Sequence, residues 1–211
     1  MDFVRTYGIP TRFDDAVRVA REGSARPIDV GRVSYRTWDG AKAERHFANV
    51  GSVGMSAAVA QRANGMSKAL GGRATFFYAL VRVFLEWENT VVSVELDGGD
   101  RREARMHDVI VANGQYHGGA MRLAPEAQPD DGLFEVVLIG DVSKVDFVTT
   151  SPKIYSGKYL AHAKVELLRS ATVAVDAPER LPIELDGEQV GTTPVRFEVV
   201  PQAVRVRVPS V

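Results

Sequence analysis

Two carboxylates late in the chain have the spacing of a catalytic hairpin. Asp186 and Glu188 flank Gly187 at the end of an apolar segment that begins at Leu181. Residues at i and i+2 share one face of a strand, and an Asp-Gly pair favours a tight turn. A carboxylate held at the end of a strand is suited to act as a general base. An ordinary exposed turn explains the same residues, so the motif alone leaves both interpretations open.

An Asp-Asp-Gly turn supplies a second candidate site. Asp130, Asp131 and Gly132 directly precede an apolar segment that begins at Leu133. Such a turn can hold a hard cation through one carboxylate together with backbone carbonyl groups and water. For the isolated motif, a solvated turn remains the alternative interpretation.

Two weaker features accompany these turns. The paired glycines Gly118 and Gly119 would let the backbone approach a ligand or another strand closely, although a structural loop explains them equally well. Basic residues are scattered around an apolar helical region, where they could face anionic lipid or simply form a solvated surface. These residues are Lys153, Lys158, Lys164 and Arg169.

The elements that must position these residues are mostly strands. Short alternating segments separated by turn residues recur from Ile28 to the end of the chain, a pattern typical of a sandwich or barrel. We therefore expect a mainly β (α+β) fold, with an antiparallel β-sandwich or barrel-like core and a few inserted helices. Residues 1–27 have helical spacing, and the helix expected over residues 73–87 is apolar nearly all round, which predicts burial. Residues 51–54 are small and predict a connection.

Composition excludes several classes of protein. The 211 residues carry a net charge of −1, which argues against a nucleic-acid-binding protein. The chain has no cysteine, so a disulfide framework is excluded and a cytoplasmic location is expected. Its four histidines show no metal-ligand spacing. The longest apolar run, residues 74–85, is too short to span a bilayer.

Taken in order, these segments resemble the C-terminal part of the diacylglycerol kinase-like lipid kinases. That superfamily also includes the sphingosine kinases and bacterial multi-substrate lipid kinases. The resemblance covers essentially the whole chain. The matching segments are Arg26-Pro27-Ile28-Asp29-Val30-Gly31, Phe47-Ala48-Asn49-Val50, Ser67-Lys68 with Gly71-Gly72-Arg73, Asn113 with Gly118-Gly119-Ala120-Met121, Ala124-Pro125, Asp131-Gly132-Leu133-Phe134, Leu185-Asp186-Gly187-Glu188, and Pro201 with Val206 and Pro209.

The resemblance implies a role for each candidate residue. Glu188 matches the family's proton acceptor, which takes the proton of the attacking lipid hydroxyl, and Asp186 matches its companion carboxylate. Asp131 matches the side-chain ligand of a magnesium ion. The backbone carbonyl groups of Gln128 and Leu133 match the positions that complete that metal site.

The resemblance also predicts how the chain is divided. In the family, a small N-terminal α/β domain binds ATP through a Gly-Gly-Asp-Gly-Thr motif followed by a Gly-Thr-x-Asn-Asp-Phe segment. The chain contains neither the first motif nor most of the second, whose tail resembles Asp2-Phe3-Val4-Arg5. Residues 1–27 are therefore expected to be a remnant of the nucleotide-binding domain with a linking helix. Residues 28–211 are expected to form the lipid-substrate and catalytic-base domain, with Asp2 as a cofactor-binding residue at the cleft.

The function implied is transfer of the ATP γ-phosphate to a lipid alcohol such as diacylglycerol, with Mg2+ as the cofactor. The isolated chain is expected to be inactive. A cytoplasmic protein without a nucleic-acid partner is expected, while peripheral contact with the inner membrane face and a homodimer stay open. Two alternatives stay open, namely a non-catalytic lipid-binding or regulatory module and a truncated gene product.

Overall fold

A computed structural model describes residues 2–66 and 72–210, but not the side chains of residues 72–77. Ser67, Lys68 and Gly71, which belong to the family resemblance, therefore fall outside the described residues.

The helices lie mostly outside the sheet. Short 3₁₀ turns cover Ser151–Ser156 and Lys158–Ala161. In the described ranges the helices are α1 (Asp2–Thr6), α2 (Phe13–Glu22), α3 (Met55–Asn64), α4 (Gly72–Glu86) and α5 (Lys144–Thr150).

Most of the remaining chain forms antiparallel strands. Within residues 2–66 and 72–210 these are β1 (Ser24–Arg36), β2 (Lys42–Phe47), β3 (Val50–Gly54), β4 (Thr90–Leu96), β5 (Asp100–Met106), β6 (Asp108–Ala112), β7 (Tyr116–His117), β8 (Met121–Arg122), β9 (Phe134–Ile139), β10 (Val165–Ser170), β11 (Thr172–Asp176), β12 (Pro182–Leu185) and β13 (Glu188–Val208).

A single curled sheet carries the fold. It has eleven strands and runs in the order β10-β9-β6-β3-β12-β13-β11-β4-β5, with β1 and β2 joined to it through β13. The long strand β13 reaches both β12 and β1, with register shifts along β1 near Ile28 and Arg36 that bend the pair. The sheet closes into a half-barrel, which confirms the prediction of a mainly β, antiparallel, barrel-like core with a few helices.

The central strand β3 corrects one expectation from the sequence. Residues 51–54 were expected to connect two elements, but every residue of β3 is buried and paired with β6, and residues 51–53 also pair with β12. The small residues are needed because neighbours approach closely. A Cβ atom on Gly51 would lie 2.8 Å from the Phe197 ring, and one on Gly54 would lie 2.8 Å from the His107 carbonyl oxygen. Close packing therefore explains a strand that has no alternating pattern.

The concave side of the sheet holds the main hydrophobic core. Phe47 stacks on Phe134 with ring centroids 5.6 Å apart and meets the edge of Phe197 at 6.0 Å. Valines from β1, β3, β4, β6, β9 and β11 fill the space around these rings. This core fixes the ends of β2 and β12, where the candidate hairpin lies.

The helices pack on the outside less deeply than their composition suggests. Leu85 on α4 is 61% exposed and Tyr78 is 51% exposed, whereas Ala79 and Val83 are buried, so for residues 78–86, whose side chains are described, the prediction of a buried helix is wrong. The predicted domain boundary between residues 27 and 28 falls within β1, and the division into two domains remains a prediction. None of the helices in the described residues is long and apolar enough to cross a membrane.

Candidate active site

The Asp186-Gly187 turn joins β12 to β13 with the geometry that its sequence favours. Both central residues have positive φ, +50° at Asp186 and +93° at Gly187. Two-residue hairpins of this hand match the twist of the flanking strands and favour Asp-Gly for that reason. Leu185 and Glu188 form the closing pair. The turn therefore places Glu188 at the first position of β13, at the tip of the hairpin.

The Asp186 carboxylate anchors this turn to the segment between β2 and β3. It accepts the backbone N–H groups of Ala48 at 2.8 Å, Asn49 at 3.0 Å and Val50 at 2.9 Å. In addition, the backbone N–H of Asp186 donates to the carbonyl of Val50 at 2.9 Å. Hydrogen bonds to an ionised carboxylate are about twice as strong as neutral ones. Both Asp186 oxygens are engaged, so in this arrangement Asp186 positions the hairpin.

The Glu188 side chain is the exposed carboxylate of the hairpin. It is 74% exposed, and Arg45 Nη1 lies 3.1 Å from its Oε2 atom. Within residues 2–66 and 72–210, Arg45 is its one hydrogen-bond partner. A general base needs a carboxylate that an incoming hydroxyl can reach, on a backbone that does not move. Glu188 is exposed, and the hydrogen bonds of Asp186 hold the turn that carries it.

A third carboxylate, Glu184, lies beneath the turn and was missed by the sequence reasoning. Its side chain is 1% exposed, and Oε2 accepts the Ser52 hydroxyl at 2.9 Å. Oε1 accepts the backbone N–H of Gly187. His117 Nε2 lies 3.4 Å from Oε2. The available signal was a charged residue between Ile183 and Leu185, in a strand short and apolar enough to be covered on both faces.

Burial shifts the protonation of the groups around Glu184. Burial, opposed by hydrogen bonds from Ser56, raises the pKa of Asp108 to about 7, and the nearby charge of Glu184 adds to the rise. Burial alone would lower the pKa of His117, but the hydrogen bond and charge of Glu184 raise it above its ordinary value. The space beneath the hairpin is therefore a buried, coupled polar cluster.

Asp2 joins the same neighbourhood through the glycine loop. Its carboxylate accepts the backbone N–H groups of Gly119 and Ala120, each at 2.8 Å. Gly118, Gly119 and Ala120 all have positive φ, which turns their N–H groups toward one side. The Asn49 side chain donates to the carbonyl of Tyr116 at 2.8 Å. The structure therefore brings Asp2, the glycine loop and the hairpin into one hydrogen-bonded region.

The Asp-Asp-Gly turn reaches this network indirectly, because the N–H of Gly132 donates to Asp29 and the Asn113 side chain donates to the carbonyl groups of Asp29 and Ala48. Asp131 Oδ1 accepts the backbone N–H of Leu133 at 3.0 Å, and Oδ2 forms an ion pair with Arg169. Arg169 also lies 3.0 Å from buried Glu135, whose pKa is raised by burial and partly restored by that guanidinium. None of the described hydrogen bonds or ion pairs joins Asp131 to Asp2, Asp186 or Glu188.

This arrangement does not fit a magnesium ion at Asp131 as it stands. Both oxygens of Asp131 are engaged, and the carbonyl of Gln128 accepts the N–H of Asp131 at 3.4 Å. Arg169 supplies the positive charge that a cation would supply. In the described part of the chain, no cluster of three or more His, Asp or Glu side chains could hold a metal. A metal site at Asp131, Gln128 and Leu133 stays a prediction.

Replacing Arg169 tests whether its guanidinium occupies the place of the ion. In Arg169→Gln, Asp131 and Glu135 would lie together without a cation, so we expect magnesium to bind and to raise the unfolding temperature by a few degrees. The wild type should show a smaller magnesium effect in the same thermal melts. Adding Asp131→Ala to Arg169→Gln should remove the gain. A larger magnesium effect in the wild type than in Arg169→Gln would contradict this expectation.

Comparison with known protein families shows to which family the chain belongs. A family model described as the YegS C-terminal NAD kinase beta sandwich-like domain matches residues 49–208. The chain belongs to this family. The match includes β3, the glycine loop, the Asp-Asp-Gly turn and the hairpin, and it confirms the resemblance to the diacylglycerol kinase-like enzymes.

Curated relatives of this YegS-type domain carry lipid kinase names. A protein of Mycobacterium tuberculosis named diacylglycerol kinase is 26% identical over 206 residues, which cover 97% of the chain and 65% of that protein. A protein of Shewanella frigidimarina named probable lipid kinase YegS-like is 29% identical, over 99% of the chain and 64% of its own length. The chain thus spans about 65% of the length of the curated relatives it matches.

Solved structures share the fold of the YegS-type domain. A structure titled as a diacylglycerol kinase of Bacillus anthracis strain Sterne matches with a TM-score of 0.66 at 18% identity, over 98% of the chain and 62% of its own. Another solved chain from the same strain gives a TM-score of 0.71 at 19% identity. At these identities the likeness concerns the fold.

Proposed function

We propose that the chain is the lipid-binding and base-supplying domain of an ATP-dependent lipid kinase. The observation that carries this proposal is Glu188, an exposed carboxylate on a hairpin that Asp186 fixes through three backbone N–H groups. Relatives of similar sequence are named diacylglycerol kinase or lipid kinase. The proposed acceptor is therefore the free hydroxyl of a diacylglycerol-like lipid.

In the proposed reaction, Glu188 acts on the lipid hydroxyl during phosphoryl transfer. The hydroxyl gives its proton to the Glu188 carboxylate while its oxygen attacks the γ-phosphorus of ATP. A new oxygen–phosphorus bond forms as the bond between the γ-phosphorus and the bridging oxygen breaks, and ADP leaves with that oxygen. Because the reacting groups must be in line, a fixed hairpin contributes through position as well as through proton transfer.

Two further residues have proposed roles near this reaction. Asp2 would hold the glycine loop at the nucleotide side of the cleft, since both of its oxygens accept N–H groups of that loop. Arg45 would keep Glu188 oriented through their ion pair. Kinship with the lipid kinases supports the use of ATP and magnesium.

The exposed apolar ends of α4 and α5 support a proposal of contact with lipid bilayers. Val145 is 72% exposed, Val148 is 60% exposed and Leu85 is 61% exposed. Phe84 stacks on Phe147 at 4.7 Å, which holds the two helices together, and Lys144 lies beside them. An exposed apolar surface beside a lysine, whose ammonium group also donates to the carbonyl groups of Phe84 and Leu85, suits a lipid surface. The same surface supports the alternative of a non-catalytic lipid-binding module.

Substitutions on α5 test the lipid contact. Val145→Asp with Val148→Asp should lower binding to anionic vesicles containing diacylglycerol by about tenfold or more, because burying either carboxylate in lipid is costly. Sedimentation with vesicles measures the bound fraction. Val204→Asp, at an exposed position on β13, is the control and should bind like the wild type. Equal binding by all three proteins would remove this surface from the proposal.

Transfer of labelled phosphate tests the proposed activity itself. The chain is mixed with a nucleotide-binding domain of a lipid kinase, labelled ATP, magnesium and diacylglycerol vesicles, and the lipid phase is counted. We expect label in the lipid with the wild type and almost none with Glu188→Gln. Vesicle binding without any transfer by the wild type would favour the non-catalytic module.

A further inference from the structure

The buried carboxylate beneath the hairpin requires stabilising partners. Glu184 is 1% exposed, and an ionised carboxylate removed from water is unstable unless hydrogen bonds and an opposite charge compensate for it. Two of its partners are neutral donors, the Ser52 hydroxyl at 2.9 Å and the backbone N–H of Gly187. The Gly187 bond matters most for the hairpin, because Gly187 immediately precedes Glu188.

His117 lies beside Glu184 and supplies an opposite charge when its ring is protonated. Its Nε2 atom lies 3.4 Å from Glu184 Oε2, and its side chain is 17% exposed. The acidic groups that act on the ring are Glu184 from β12, Asp2 from α1 and Asp186 from the turn, and Asp108 on β6 is coupled to it as well. A protonated imidazole beside Glu184 keeps that carboxylate ionised and a strong acceptor.

We propose that Glu184 and His117 are positioning residues for Glu188. Glu184 holds the N–H of Gly187 and so fixes the peptide that carries Glu188, while His117 neutralises Glu184 and ties the turn to the glycine loop. The inference rests on the proposed function of Glu188 as the base. It extends that function, because the glycine loop and the base then move as one unit.

A series of contacts connects Asp2 on α1 with Glu188, the proposed base. Asp2 binds the loop at Gly119 and Ala120, and that loop begins directly after His117. A disturbance at Asp2 is therefore transmitted through His117 and Glu184 to the Gly187 peptide. Displacement of a catalytic group by about 1 Å can cost on the order of a hundredfold in rate, so this support bears on the reaction as well as on folding.

Hydrogen exchange and NMR titration of the 211-residue chain test the linkage without any activity assay. In Glu184→Gln, exchange of the Gly187 amide should speed up about tenfold or more, while the Asp186 amide, which donates to Val50, keeps its protection. The pKa of His117 should fall, since burial remains and the charge of Glu184 is gone, while Asp2 and Asp186 still raise it. Unchanged Gly187 exchange together with an unchanged His117 titration would overturn the proposal.

The second test variant is His117→Asn, which should change how the stability of the fold depends on pH. Because the pKa of His117 is raised in the folded chain, its contribution to stability is present below the ordinary histidine range and is lost as pH rises through the folded-state pKa. The stability gap between wild type and His117→Asn should therefore shrink as pH rises. His162→Asn, at another histidine near a carboxylate, is the matched control. A gap that widens with pH would contradict the pairing.

Kinetics separate positioning from folding. In the phosphotransfer assay, Glu184→Gln and His117→Asn should lower kcat about tenfold to a hundredfold, with little change in KM for the lipid. If the wild type transfers no phosphate, the proposed function is wrong. Hydrogen exchange of Gly187 and the titration of His117 still test whether Glu184 and His117 hold the turn. A rise in KM at unchanged kcat would overturn the positioning role.

Discussion

Glu188→Gln is expected to lower phosphate transfer to the lipid by about a hundredfold to ten-thousandfold, the usual contribution of a positioned general base. Glutamine keeps the size of the side chain but cannot take the proton of the attacking hydroxyl. Since Glu188 is 74% exposed, the fold and the vesicle binding should stay as in the wild type. The effect should appear in kcat and in kcat/KM alike.

The matched control for this substitution is Glu44→Gln on the adjacent strand β2. Glu44 is exposed and next to Arg45 in sequence, with its side chain on the other face of β2, so the control removes one negative charge nearby without touching the hairpin. Its rate should stay within about twofold of the wild type, since surface substitutions are usually mild. If Glu188→Gln retains a rate similar to that of Glu44→Gln, Glu188 is not the base.

Asp186→Ala is expected to destabilise the fold by about 3 kcal/mol, because three backbone N–H groups lose a charged acceptor and regain water in part. For a chain of this size that corresponds to a drop in the unfolding temperature of roughly 10 °C. The loss follows from the bonds to Ala48, Asn49 and Val50, all between 2.8 and 3.0 Å. Thermal unfolding followed by circular dichroism measures it.

Glu188→Ala provides the comparison within the same hairpin. Its exposed ion pair with Arg45 should contribute less than about 1 kcal/mol. The two carboxylates of the turn would then differ in kind, with Asp186 supporting the fold and Glu188 supporting the reaction. Equal destabilisation by the two alanine substitutions would contradict this division.

The β architecture was predictable because its signals are local. Alternating segments and turn residues such as Asp186-Gly187 predict strands and hairpins without knowledge of their neighbours. Strand β3 was not predictable in this way. Gly51 leaves room for the Phe197 ring and Gly54 leaves room for the His107 carbonyl, and both neighbours lie far away in sequence. Helix α4 was wrongly expected to be buried because composition does not tell which neighbours cover a helix.

The motifs of the candidate site could be recognised in the sequence, but the roles of several individual residues could not be predicted from it. The order of the motifs indicated the family, which the match over residues 49–208 confirms. The anchoring bonds of Asp186 could not be foreseen, because their donors lie in another part of the chain. Glu184 and His117 were missed for the same reason, since they meet only when the glycine loop folds beneath β12.

Mass spectrometry of the lipid product is the most direct measurement of phosphate transfer to a lipid hydroxyl by the chain. Wild-type chain with a nucleotide-binding domain, ATP and magnesium is given diacylglycerol in one sample and triacylglycerol, which lacks a free hydroxyl, in the other. We expect a singly phosphorylated lipid from diacylglycerol and none from triacylglycerol. Absence of that product from a folded, vesicle-bound wild-type chain would contradict this expectation.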